Sequence, residues 1–94
     1  MNYDLHFKPE ALKEWNKLNP TLKEHFKKKL KQRCENPRVP KDKLSGFENV
    51  YKIKLIDAGY RLAYEVKDEQ IVILVLSIGK RKNNKIYNLL NSRF

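Results

Sequence analysis

Three cations lie on two short segments that should pair as a β-hairpin. Lys52 and Lys54 alternate with apolar residues, as Arg61 does after a short connector. Because side chains alternate along a strand, the cations should share one face and the apolar residues the other. A four-residue turn pairs Leu55 with Tyr60 and sets Lys54 opposite Arg61. Like charges directly opposite each other are destabilising, so this arrangement predicts an anionic ligand.

Cations grouped in this way suit the cleavage of RNA without a metal. In that reaction a base deprotonates a 2′-hydroxyl, the oxygen attacks phosphorus in line, and an acid protonates the departing 5′-oxygen. A lysine that neighbours other cations loses its proton more readily than an isolated one. Lys52 is therefore the first choice for the base, and Lys54 and Arg61 should stabilise the dianionic transition state.

The chain offers no residue set suited to a catalytic metal. It has one cysteine, Cys34, two histidines on separate predicted elements, and no dense group of carboxylates. We expect neither a metal nor a cofactor. His6 and His25 should be surface or structural groups rather than an acid–base pair, and Cys34 should be an idle thiol because no base accompanies it.

The net charge favours nucleic acid as the ligand. Twenty-one lysines and arginines against eleven acidic residues give a formal charge of +10. Such a field attracts polyanions whatever the fold, although an excess of lysine that serves only solubility remains an alternative. A length of 94 residues predicts a single domain spanning residues 1–94.

Nothing in the sequence predicts a membrane location. The first residues lack the regions of a signal peptide, and the longest apolar run, residues 71–76, is too short to cross a bilayer. One cysteine excludes an internal disulfide and fits a reducing compartment. We expect a cytoplasmic protein without a membrane partner.

The elements that position the cations follow from periodicity. Residues 2–7 alternate like a half-buried strand, and helices should begin at Pro9 and at Pro20, the second capped by Asn19. Residues 70–78 have no polar face and should form a central strand, antiparallel to its predecessor and buried on both sides.

The predicted fold class is α+β, with the element order β-α-α-β-β-β-α. It describes an antiparallel β-sheet, an N-terminal helical hairpin packed on one face, and a short C-terminal helix. Trp15, Tyr60 and Tyr64 lie on apolar stripes and should belong to the core.

The strand phases leave one difficulty. If the strand register continues unchanged across the turn at residues 67–70, Arg61 lies on the same sheet face as Leu76. It then shares that face with Lys80 rather than with Arg81. For Arg81 to join the other cations the alternation must break, and Gly79 is where a bulge could break it.

Further cations are candidates for contact with RNA. Lys28 and Lys31 lie on the polar face of the second helix, where they would either follow a phosphate backbone or be solvated. Lys80 and Lys82 follow the last strand in a basic stretch and are expected to bind RNA.

Several separated segments resemble the RelE family of toxins. The resemblance rests on residues 51–55, 59–62 and 79–81, on Tyr87, and on residues 11–15, 28–30 and 43–44. RelE toxins are ribosome-dependent mRNA endonucleases of bacterial toxin–antitoxin pairs. The resemblance therefore implies cleavage of mRNA in the ribosomal A site and inhibition of translation.

The resemblance also implies catalytic residues. The matching positions are Lys52, Lys54, Arg61, Arg81 and Tyr87. Arg81 would hold the phosphate and help to protonate the leaving oxygen, and Tyr87 would compete with Lys52 as base or stack on a base of the message. At Ser45, where relatives carry an arginine, the sequence departs from the family pattern.

The implied partner is a RelB-like antitoxin in a hetero-oligomeric complex. Its binding segment should be acidic and amphipathic, fold on contact, and act at least partly through the C-terminal helix that carries Tyr87. Two other functions stay open: a non-catalytic ParE-like toxin that binds DNA gyrase, and a basic RNA- or ribosome-binding module.

Overall fold

The structure, a computed structural model, describes residues 2–55 and 58–80. Within them the chain forms one four-stranded sheet and two α-helices. The strands are β1 (Asp4–Phe7), β2 (Val50–Leu55), β3 (Tyr60–Lys67) and β4 (Val72–Lys80), and the helices are α1 (Pro9–Asn16) and α2 (Pro20–Glu35), followed by a 3-10 turn at Pro40–Asp42. The predicted C-terminal helix lies outside the described residues. Neither described helix has the length and apolar content that a membrane span requires.

The α+β class is confirmed, but the sheet is mixed. Its strand order is β1-β4-β3-β2. The β2–β3 and β3–β4 pairs are antiparallel, whereas β1 runs parallel to β4. The alternation of residues 2–7 predicts a strand but carries no information on its direction. That direction is set by the helical hairpin, which follows β1 along the chain.

The main core lies between the helices and one face of the sheet. Leu22, Phe26 and Leu30 of α2 are buried there, with Tyr64 at its centre. Trp15 is half-buried, its ring centroid 5.4 Å from that of Phe7 and 6.4 Å from that of Phe26. The predicted core positions of Trp15, Tyr60 and Tyr64 are confirmed. β4 lies between two strands and is buried along most of its length, as predicted.

The start of α2 is also as predicted. The N–H of Leu22 donates to Asn19 Oδ1 at 2.8 Å, and Pro20 occupies the first helical position. Proline suits that position because the first N–H groups of a helix have no partner within the helix.

Asn19→Ala should lower the free energy of unfolding by about 1 kcal/mol, because the N–H of Leu22 loses its acceptor. Urea denaturation followed by circular dichroism measures the change. Asn16→Ala, at the exposed end of α1, is the control and should change this free energy by less than about 0.5 kcal/mol. Equal losses in the two variants would contradict the capping role of Asn19.

Candidate catalytic face

Lys52, Lys54 and Arg61 lie on the sheet face opposite the main core, and we call these three residues the cationic face. Lys54 is directly opposite Arg61, and Leu55 is opposite Tyr60, so the predicted hairpin register is confirmed. All three cations are half-buried. The register holds two cations at neighbouring positions on adjacent strands, where a bound anion would relieve their repulsion.

A second apolar cluster occupies the other end of the same face. It consists of the buried residues Leu44, Val50, Ala63 and Leu76, with Phe47 and Leu74 packed against it. The segment before β2 folds back over the sheet, and the N–H of Leu44 donates to the carbonyl of Val50 at 2.9 Å. This cluster was not predicted, because Leu44 and Phe47 are isolated apolar residues in a segment of loop composition.

β4 changes register at a bulge. Ala63 pairs with Ser77 and Tyr64 pairs with Val75, so Leu76 is the additional residue on β4. As a result Arg61 lies opposite Gly79.

The predicted phase of β4, with Arg61 in line with Lys80, is therefore wrong. The irregularity lies at Leu76 and not at Gly79, and Lys80 pairs with Tyr60 on the other side of the sheet. Because the run 71–76 is apolar on both of its faces, its alternation gives no sign of a shifted register.

The end of β4 is held by α1. The N–H of Ile78 donates to Glu14 Oε1 at 3.0 Å. β1 pairs with β4 only as far as Phe7 opposite Val75, so among the described residues no strand lies beside Ile78 on that side. Glu14 accepts the hydrogen bond of the Ile78 N–H there instead. This bond supports the position of Gly79 beside Arg61.

The remaining predicted site residues are distributed unevenly. Lys28 and Lys54 line the same groove, of about 780 Å³, between α2 and the edge strand β2. Lys31 is exposed on α2, and Lys80 is exposed and apart from the cationic face. Arg81, Lys82 and Tyr87 lie outside the described residues.

Arg33 of α2 connects three parts of the fold and was missed at the sequence level. Its Nη1 donates to the carbonyl of Lys52 at 3.2 Å and to the hydroxyl of Tyr64 at 2.9 Å, and its Nη2 lies 2.6 Å from Asp42 Oδ2. The Tyr64 hydroxyl in turn donates to the carbonyl of Pro37 at 2.7 Å. Burial raises the pKa of Tyr64, and the Arg33 guanidinium opposes that rise. No periodicity distinguishes Arg33 from the other cations of α2.

The other groups considered for chemistry are placed differently. His6 is on β1, at the other edge of the sheet from β2, whereas His25 of α2 lines the same groove as Lys28 and Lys54. Burial raises the pKa of the Cys34 thiol, which disfavours the thiolate that a nucleophile requires. Residues 2–55 and 58–80 contain no group of three or more histidine, cysteine, aspartate or glutamate side chains placed to hold a metal ion.

Comparison with known proteins identifies the family. A family model described as the ParE toxin of the type II toxin-antitoxin system parDE matches residues 5–85. The mRNA interferase toxin RelE of Escherichia coli K12 is 49% identical over 88 residues, which are 94% of this chain and 93% of that protein.

Solved structures agree with the sequence comparison. A variant of the E. coli toxin RelE in the free state matches with a TM-score of 0.92 and 46% identity, over 100% of this chain and 99% of that one. A chain of the intact E. coli RelBE toxin–antitoxin complex matches with a TM-score of 0.81 and 51% identity, over 83% of this chain and 95% of that one. The chain therefore belongs to the RelE/ParE family of toxins of type II toxin–antitoxin systems, and within it is similar to RelE in both sequence and structure.

Proposed function

We propose that this protein is a toxin that cleaves mRNA in the ribosomal A site and thereby stops translation in the cytoplasm. The observation that carries the proposal is the direct opposition of Lys54 and Arg61, beside Lys52, on a face away from the main core. Cations at directly opposite positions repel each other, and a phosphate bound between them would offset that repulsion. Half of the residues are shared with a relative named an mRNA interferase.

In the proposed reaction Lys52 takes the proton of the 2′-hydroxyl, and the 2′-oxygen forms a bond to phosphorus. The bond from phosphorus to the 5′-oxygen breaks, which leaves a 2′,3′-cyclic phosphate and, after protonation, a 5′-hydroxyl. Lys54 and Arg61 stabilise the dianionic transition state, since both lie beside Lys52 on one face. No step requires a metal or a cofactor.

Arg81 and Tyr87 complete the proposed catalytic set. Arg81 would hold the phosphate and help to protonate the leaving oxygen. Its inclusion is supported by the described end of β4, where Gly79, two positions before Arg81 in the sequence, lies opposite Arg61. Tyr87 is the alternative base, or stacks on a base of the message.

The lysines of α2 extend the proposed RNA contact. Lys28 shares a groove with Lys54, so an RNA backbone that reaches the cationic face also passes Lys28. We assign the exposed residues Lys31, Lys80 and Lys82 to weaker, salt-sensitive contacts with RNA phosphates.

The proposed partner is a RelB-like antitoxin that forms a hetero-oligomer with this chain. A relative has been solved as a RelBE toxin–antitoxin complex. A net charge of +10 favours an acidic antitoxin segment, and we propose that this segment acts at least partly through residues 83–94.

Inducible expression in a bacterial host tests the function. We expect growth arrest, together with cuts in translated messages that map within codons and disappear when the ribosome-binding site of the message is removed. Co-expression of an antitoxin gene found beside the toxin gene should restore growth. DNA damage linked to gyrase without cleavage of messages would favour a ParE-like toxin, and neither effect would favour a basic RNA-binding module.

A further inference from the structure

We propose that Arg33 is a positioning residue for Lys52, which it holds through the main chain at the outer edge of the sheet. The inference rests on the proposed function, because its consequence is a change in the rate of RNA cleavage. It concerns a residue that lies on the helix side of the sheet and belongs to none of the groups assigned above to RNA.

The first step of the argument is the edge geometry of β2. This strand is the last in the order β1-β4-β3-β2, so alternate carbonyls point away from β3. On that side no strand of the described sheet supplies an N–H donor for them. The carbonyl of Val50 points outwards, since it accepts from the N–H of Leu44 in the preceding loop. The carbonyl of Lys52, two residues further on, points the same way and accepts from Arg33.

The second step is the rigidity of Arg33 itself. Its guanidinium bonds to Lys52 of β2, to Asp42 of the 3-10 turn and to the hydroxyl of Tyr64 on β3. The ion pair is largely buried, with side-chain exposures of 14% for Arg33 and 15% for Asp42. A planar guanidinium presents its donors in a fixed fork, so the ion pair with Asp42 sets the direction from which Nη1 meets the carbonyl of Lys52.

The third step connects that carbonyl to chemistry. The side chain of Lys52 projects onto the cationic face, and its direction is set by the backbone from which it extends. A base displaced by about 1 Å loses on the order of 10² in rate. Loss of Arg33 should therefore slow the chemical step while leaving the cations that bind RNA in place.

Arg33→Lys is the informative variant because it keeps the charge but cannot reproduce the fork. We expect the single-turnover rate of cleavage of a ribosome-bound message to fall about tenfold or more, with the half-saturating toxin concentration within about twofold of wild type. Tyr64→Phe is the matched control. It removes one anchor in the core but leaves the bonds from Arg33 to Lys52 and Asp42, and its rate should stay within about threefold of wild type.

Thermal unfolding shows which variants fold. If Arg33→Lys does not fold, the double variant Arg33→Met/Asp42→Asn, which buries no charge, is used instead. It should show the same loss of rate with an unchanged half-saturating toxin concentration. Wild-type rates in a folded Arg33 variant would overturn the positioning role, as would equal losses in Arg33→Lys and Tyr64→Phe, or a change in half-saturation alone. In each of these cases, loss of message cleavage in Lys52→Ala would still support the proposed function. A wild-type protein that cleaves nothing on the ribosome would overturn both.

Discussion

Lys52→Ala should lower the rate of message cleavage on the ribosome by about 10² to 10⁴, because the reaction loses the proposed base for the 2′-hydroxyl. Arg61→Ala should lower it by about 10² to 10³ through loss of a donor to the transition state. Both residues point away from the main core and are half-buried, so the thermal midpoint should change little. Single-turnover cleavage of a message stalled on purified ribosomes measures the effect.

Lys13→Ala is the matched control for charge. Lys13 is exposed on α1, and its loss lowers the net charge by the same single unit as loss of Lys52. A wild-type rate in Lys13→Ala together with a large loss in Lys52→Ala would assign the effect to the position of the charge. Rates at the wild-type level in both Lys52→Ala and Arg61→Ala would remove the cationic face from the mechanism.

Naked RNA should be cleaved about 10³-fold or more slowly than the same message in the ribosomal A site. The cations lie on one face of a sheet in a chain of 94 residues, which we expect to bind a strand without fixing both the 2′-oxygen and the leaving oxygen in line. Holding the reacting atoms in line accounts for much of the rate enhancement in such reactions, and in the proposed reaction the ribosome supplies it.

Binding to naked RNA should nevertheless occur and should weaken steeply as salt rises. Each lysine or arginine that neutralises a phosphate of single-stranded RNA releases counterions and contributes roughly −0.7 to the slope of log K against log salt. Filter binding over a series of salt concentrations, beside cleavage of the same RNA, measures both quantities. Rapid cutting of naked RNA by the pure protein would indicate an independent nuclease.

The hairpin was predictable because two alternating patterns and a short connector constrain one another. Shifting either strand by one residue would move Ile53 or Leu62 out of the core, and the short connector disfavours a shift by two. The cap of α2 was predictable for a similar reason, since Asn19 and Pro20 satisfy adjacent requirements of a helix start.

What the sequence concealed depends on contacts between distant residues. The parallel direction of β1 depends on the path of the helical hairpin, and the bulge lies in a run that is apolar on both sides. Arg33 resembles every other cation of α2 until the fold brings Asp42 and the Lys52 carbonyl to it. Binary patterning identifies faces, but it does not identify a residue whose partners lie on other elements.

The bulge at Leu76 makes the two ends of the domain respond differently to changes in chain length. A residue inserted in or deleted from the loop before β2 alters only how that loop packs over one end of the sheet. A residue inserted between Leu76 and Gly79 would reverse the alternation at the end of β4 and exchange the sides taken by Gly79 and Lys80 relative to Arg61. Insertions accumulated during evolution should therefore be found in residues 41–49 of relatives and be rare between Leu76 and Gly79.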